Sequence, residues 1–150
     1  MRLVIQRVSR ASVSSSGFET ASVGKGMLIL AGIEESDTIE DAEWLAGKVT
    51  RLRIFADTMG VMNHSVCEIG GSILVVSQFT LHASTRKGNR PSYIRAARPE
   101  TAVPLFESFV RFLKETTGLR VETGWFGAMM QVELVNDGPV TIIMDSKIRE

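Results

Sequence analysis

The amino-acid sequence predicts a single α/β domain over residues 1–150, with mixed β-sheets, barrel-like or layered, packed against two helices. Three observations lead there. At 150 residues the chain is long enough for one real core and too short to expect two. Its apolar residues change period along the chain, giving about three strands, a strand–helix unit, one or two strands with a second helix, and three final strands. Strands and helices do not alternate strictly, which argues against a doubly wound parallel sheet.

Taken in order, "MRLVIQRVSR" gives a strand from Leu3 to about Val8, and a weaker extended segment, "ASVSSSG", turns at Gly17. "FETASVGKG" returns from that turn. Met27 to Gly32 is short, apolar and bounded by glycine, as a buried strand is. Ile39, Ala42, Leu45, Ala46, Val49 and Leu52 then recur at helical spacing, and Asp37 with Glu40 has the form of a capping box, so a helix is expected from about 37 to 50. "RLRIFA" reads as a short strand and Asp57 to Gly71 as loop. Ile73 to Leu81, "ILVVSQFTL", is a strand with an apolar start and a polar end, and residues 82–98 show no period. Ala102, Leu105, Phe106, Phe109 and Leu113 share one face of a helix from Glu100 to Thr117, stopped by Gly118. Pro104 suits it only near its start, which can fall as late as 103. "LRVETG", "AMMQVELV" and "VTIIMD" supply the last strands. Between the final two, Asn136-Asp137-Gly138 carries a hairpin signal, because Asp-Gly supplies the positive φ angles of a tight turn. Yet Pro139, with no N–H to give a ladder, sits where the returning strand begins.

Composition narrows the functional classes. Hydrophobic residues make up 44% and charged residues 23%, which argues for a soluble globular domain and against a disordered or fibrous chain. Seventeen Lys and Arg balance seventeen Asp and Glu, so any surface for a polyanion must be a local patch. The lone cysteine, Cys67, cannot form an internal disulfide and is expected as a small, at least half-buried side chain. No apolar run approaches the ~20 residues that span a bilayer, and the N-terminus is not a signal peptide, so the chain reads as cytoplasmic with no membrane partner.

Standard catalytic constellations are missing. His64 and His82 stand in no metal-ligand spacing, so neither a metal nor another cofactor is expected, and there is no nucleophile elbow and no glycine-rich phosphate loop. Three stretches remain. In "SQFTL", alternation along a strand places Gln78, Thr80 and His82 on one face and Ser77, Phe79 and Leu81 on the other. A threonine nucleophile needs a base beside it, and His82 lies ~7 Å along an extended chain from Thr80. The stretch therefore reads as a plain strand end or as backbone N–H donors at a frayed one, with a Thr80–His82 pair the weakest option. "HASTRKGNRPSYIRAAR" holds five of the seventeen cations, Arg86, Lys87, Arg90, Arg95 and Arg98, and no carboxylate. It is either a solvated surface or a phosphate-binding loop with Tyr93 available for stacking. The six acids within residues 34–43 suit a helix start and need no functional account. The third stretch is the Asp137-Gly138-Pro139 turn itself.

Together and in this order, "MRLVIQRVSRASV", "SQFTL", "KGNRPSY", "GWFGAMMQV" and "NDGPVT" resemble the D-aminoacyl-tRNA deacylases of the bacterial and eukaryotic type, over nearly the whole chain. The resemblance implies hydrolysis of the ester joining a D-amino acid to the 3′ end of tRNA, with mischarged glycyl-tRNA as a further substrate. It implies a homodimer with active sites at the interface, where Gly138 and Pro139, joined by a cis peptide, project from one subunit into the active site of the other. Their carbonyls would hold the substrate's α-ammonium, and the rigid turn would collide with any side chain on the L face. It further implies that backbone N–H groups near Phe79 and Thr80 stabilise the oxyanion, that Ser77 and Gln78 shape an adenosine pocket with Phe126, Ala128 and Met130, and that the terminal 2′-hydroxyl assists. Arg7 either orders this site or forms an interface or surface ion pair, and Arg86, Lys87 and Arg90 are candidate tRNA contacts. A Thr80 nucleophile is the second reading of the chemistry, and a non-catalytic RNA-binding module the rival class.

Overall fold

A strand of thirteen residues, β1 (Arg2–Ser14), runs through the middle of the main sheet of the computed structural model, which describes residues 1–149. Short β2 (Ala21–Val23) and apolar β3 (Gly26–Gly32) follow and pair antiparallel along one edge of β1, from Ala11↔Val23 to Arg2↔Gly32. Helix α1 (Ile39–Thr50) and a small hairpin, β4 (Phe55–Ala56) with β5 (Met62–His64), come next. Strand β6 (Ser72–Ser77) lies parallel to β3. After it come a 3-10 turn (Phe79–His82), helix α2 (Pro99–Thr117) and β7 (Val121–Thr123), which is parallel to β6. The last strand, β8 (Gln131–Asp145), runs antiparallel to β1 along its other edge.

The result is one domain with a mixed, barrel-like sheet and two helices, as the sequence predicts. Strands β3 and β6 are buried on both faces. Leu3, Ile5, Met27, Ile29, Ile73 and Val75 face the helices, where Leu45, Val49, Phe106, Phe109 and Leu113 cover them. Burying each such side chain stabilises the fold by about 1.5–3 kcal/mol before entropy is charged against it. The opposite residues, Leu28, Leu74 and Val76, meet Val8, Ala11, Val13 and Val23 as the sheet curls over. A register shift between Val8 and Arg10 turns Ala11 and Val13 to the same face as Val8.

Several predicted boundaries move. The segment read as a second extended piece continues β1 without a break, because residues 10–14 pair with β8. "VELVNDGPVTIIMD" is not a hairpin. Both of its halves pair with β1 in one direction, so the Asp-Gly signal sits inside a single strand of fifteen residues. The strand expected over Ile73 to Leu81 ends at Ser77 and gives way to the 3-10 turn. "RLRIFA" is extended only at Phe55–Ala56, the predicted loop contains β5, and the last strands begin at Val121 and Gln131. Helix α2 starts at Pro99, where a missing N–H does no harm, and accommodates Pro104 about one and a half turns further on. Gly118, at φ 63°, ends it. Cys67 is exposed, not half-buried, and burial of its thiol with Glu68 nearby still pushes its pKa up.

The cap of α1 is Thr38 with Asp41, one residue later than predicted. Asp41 accepts the Thr38 N–H at 2.8 Å and the Lys147 ammonium at 2.7 Å. Burial alone would raise its pKa, but these partners hold the carboxyl well below the usual carboxylate range. Asp37, expected to cap, is buried against the Met1 amino group.

Candidate active site

The polar end of β6 is where the chain turns sharply. Gln78 N–H still reaches Ala31 O at 2.8 Å, the last rung of the parallel ladder, and the next four residues close into the 3-10 turn. Phe79 and Thr80 open that turn, where N–H groups have no partner within the helix, and among the described residues neither N–H makes a hydrogen bond. The turn is braced from three sides. Leu81 N–H and Ala83 N–H bond to Gln78 O and Thr80 O at 3.3 and 3.0 Å. Arg2 reaches across from β1 to donate to Leu81 O at 2.9 Å. Gly32 packs beneath, where a Cβ would lie 2.9 Å from Leu81 Cβ and 3.0 Å from Gln78 O.

Thr80 does not meet a base. Its hydroxyl accepts the Gln78 amide Nε2–H at 2.6 Å, and an amide cannot take a proton from it. His82 lies under the turn with its side chain fully buried. Among the described residues neither ring nitrogen has a hydrogen-bond partner, and the Glu34 carboxylate is 4.0 Å away. The alternation expected for a strand fails here because the backbone is helical after Gln78.

Ser77, Gln78 and Phe79 line a cavity of about 590 Å³ together with Phe126, Ala128 and Met130. Its floor is apolar, from Ala31, Ile33, Val76 and Ala102, and Phe126 is held edge-on to Phe106 of α2 at 6.1 Å. Six residues from two distant sequence stretches are thus brought to one place. Neither Gly138 nor Pro139 lines this cavity in the same chain, and Arg7 does not either.

Arg7 and the Gly-Pro pair form a separate group. Four residues, Asp137 to Val140, stand opposite the single residue Arg7, since Val8 pairs with Asn136 and Gln6 with Thr141. The Gly138–Pro139 peptide is cis, and both residues are exposed. The Arg7 guanidinium donates to Asp137 O at 2.8 Å and to Ile54 O at 2.6 Å, and lies 3.6 Å from the Asp137 carboxylate. Asn136 Oδ1 accepts the Val140 N–H at 2.9 Å, closing the excursion from the other side. Gly138 has φ 138°, and a Cβ there would come within 2.9 Å of Arg7 Nη2 and Val140 Cγ2.

The cationic stretch is a ribbon. Ser84 and Ser92 exchange backbone hydrogen bonds of 2.8 and 2.9 Å, which leaves residues 85–91 as a tip, exposed from 85 to 90. Arg86, Lys87 and Arg90 stand on that tip, and among the described residues no carboxylate pairs with them. Arg95 is different, bound to Glu34 at 2.9 Å. Tyr93 meets Phe79 edge-on, with ring centroids 5.1 Å apart. Sequence reasoning missed Arg2 and Gly32. Arg2 gives no local signal, and Gly32 reads only as the glycine that bounds a strand.

The comparisons with known proteins agree with one another. A family model described as D-Tyr-tRNA(Tyr) deacylase matches residues 4–145. A D-aminoacyl-tRNA deacylase of Akkermansia muciniphila is 65% identical over 150 residues, covering 100% of both chains. Among solved structures, the c-Myc DNA Unwinding Element Binding Protein is 40% identical, with a TM-score of 0.90 over 97% of this chain and 98% of that one. A probable eukaryotic D-amino acid tRNA deacylase, at 17% identity and a TM-score of 0.83 over 95% and 97%, shares the fold.

Proposed function

The chain belongs to the D-Tyr-tRNA(Tyr) deacylase family and is a tRNA-binding hydrolase that removes D-amino acids from tRNA, and from this premise we propose how its groups divide the work. The terminal aminoacyl-adenosine occupies the 590 Å³ cavity, with the adenosine against Ser77, Gln78, Phe126, Ala128 and Met130. The Phe79 and Thr80 N–H groups receive the negative charge that develops on the ester carbonyl oxygen as water attacks. A donor of this kind is worth about 10²–10³ in kcat. The 3′ oxygen leaves with a proton, and the neighbouring 2′-hydroxyl of the substrate assists. No side chain attacks.

Selectivity comes from a second copy of the chain. In a homodimer, Gly138 and Pro139 of one subunit enter the cavity of the other, where main-chain carbonyls hold the α-ammonium and the wall excludes a side chain on the L face. Glycine on tRNA passes for the same reason. Arg7 keeps the wall in place through Asp137 O and Ile54 O. Arg86, Lys87 and Arg90 contact tRNA phosphates, and neutralising one of them lowers the salt slope of tRNA binding by about one unit. The whole is a single deacylase domain acting in the cytoplasm. Among the described residues no helix is long and apolar enough to cross a membrane.

The observation that carries this reading is a pair of unpartnered N–H groups beside a threonine whose hydroxyl touches only an amide. Parallel incubation with D- and L-tyrosyl-tRNA tests it. The D ester is hydrolysed and the L ester spared, and Thr80→Ala retains kcat within about threefold. A folded, tRNA-binding Thr80→Ala protein without turnover would return the chemistry to a threonine nucleophile.

A further inference from the structure

In the single chain Phe79 and Tyr93 are 55% and 40% exposed, a large aromatic surface to leave uncovered. Their edge-on contact turns the edge of one ring to the face of the other, and both rings keep part of their surface exposed. Phe79 also lines the cavity, while Tyr93 follows directly on the Ser84–Ser92 ladder that holds the cationic tip. The pair therefore stands between the cavity and three cations without acidic partners.

We propose that the Phe79–Tyr93 pair is a stacking platform for the nucleobase next to the terminal adenosine, in the unpaired 3′ strand of the RNA substrate. The inference rests on the reading that the terminal adenosine occupies the cavity, and it adds a subsite. Three features select this occupant. Aromatic faces take any base, because every base has a π-face. Arg90 lies three residues from Tyr93, at most about 11 Å along the chain, so one ribbon offers both a stacking ring and a phosphate contact. The platform is also continuous with the cavity through Phe79, so a strand whose last nucleotide enters the cavity passes over it.

The test uses the full chain with two substrates, D-tyrosyl-tRNA and D-tyrosyl-adenosine, the second lacking any neighbouring base. For Tyr93→Ala the ratio of kcat/KM on tRNA to kcat/KM on D-tyrosyl-adenosine falls about tenfold, within the range for loss of one stacked base. Tyr93→Phe restores the ratio, since stacking needs the ring and not the hydroxyl. An unchanged ratio overturns the platform, as does an equal loss on both substrates. A change of oligomeric mass in Tyr93→Ala, measured by light scattering, also overturns it and assigns the rings to contact with a second copy. Failure of the wild-type chain to hydrolyse D-tyrosyl-adenosine overturns the cavity assignment instead, and the platform with it.

Discussion

Two interruptions of β-structure, Gln78–His82 after β6 and Asn136–Val140 within β8, both bring main-chain groups to the surface, yet they are held in opposite ways. The first is fixed from within the fold. Ala31 O, the packed Gly32 and the Arg2 guanidinium all belong to the main sheet, so the positions of the Phe79 and Thr80 N–H groups follow from core packing. The second is fixed by one side chain on each flank, Arg7 and Asn136, and otherwise faces outward. The hydrolytic centre we propose there would thus be as rigid as the core beneath it. The Gly-Pro excursion, to which we assign selectivity, hangs from two side chains and can be loosened without disturbing that core.

The largest effect is expected where the first region meets the core. Gly32→Val drives its side chain into Leu81, Gln78 O and His82, with contacts starting at 2.9 Å. Stability should fall by about 1–3 kcal/mol. Deacylation of D-tyrosyl-tRNA should fall about a hundredfold, as when an oxyanion donor is displaced. Denaturant unfolding and steady-state kinetics check the two together, and a Gly32→Val protein with wild-type kcat would break the comparison. The second region should respond differently. Arg7→Ala removes the hydrogen bonds to Asp137 O and Ile54 O, each worth about 1.5–3 kcal/mol when the donor is charged. Here the rate on the D ester stays within about threefold, while the D-to-L preference falls about tenfold in paired deacylation assays. The smallest effect lies far from both. Asp41 ionises at lower pH in the folded chain than when unfolded, so its stabilisation is complete above the ordinary carboxylate range of about pH 4 and is lost as pH falls towards its folded value. Asp41→Asn should lower stability at neutral pH and flatten the acid limb of the stability profile, with the D-to-L preference unchanged.

Neither region is as plain in the sequence as the elements around it. Helices α1 and α2, the buried strand β3 and the stop at Gly118 follow from period and local chemistry, which are properties of neighbouring residues. The course of β8 does not. An Asp-Gly pair signals a hairpin wherever it stands, and only pairing of both flanks with β1, over a hundred residues away, decides for one strand. The end of β6 is similar, since "SQFTL" alternates acceptably as a strand and the turn is imposed by Gly32 and Arg2 from other elements. The cavity residues were legible as motifs through resemblance, but Phe126, Ala128 and Met130 meet Ser77 and Gln78 only through tertiary packing.

Opposite Arg7 the excursion in β8 carries Asp137 to Val140, and beyond it Val140, Ile142 and Met144 must point at the helices. Its length is set apart from the register of the ladder on either side. Because Asp137 to Val140 stand outside the ladder, an insertion or deletion of one residue there changes the reach of the projection while Gln6 still faces Thr141, and Ile142 and Met144 stay turned to the helices. Lineages can therefore lengthen or shorten this projection by single residues, and a library of single-residue indels at positions 137–139 should yield folded protein whose D-to-L preference is altered.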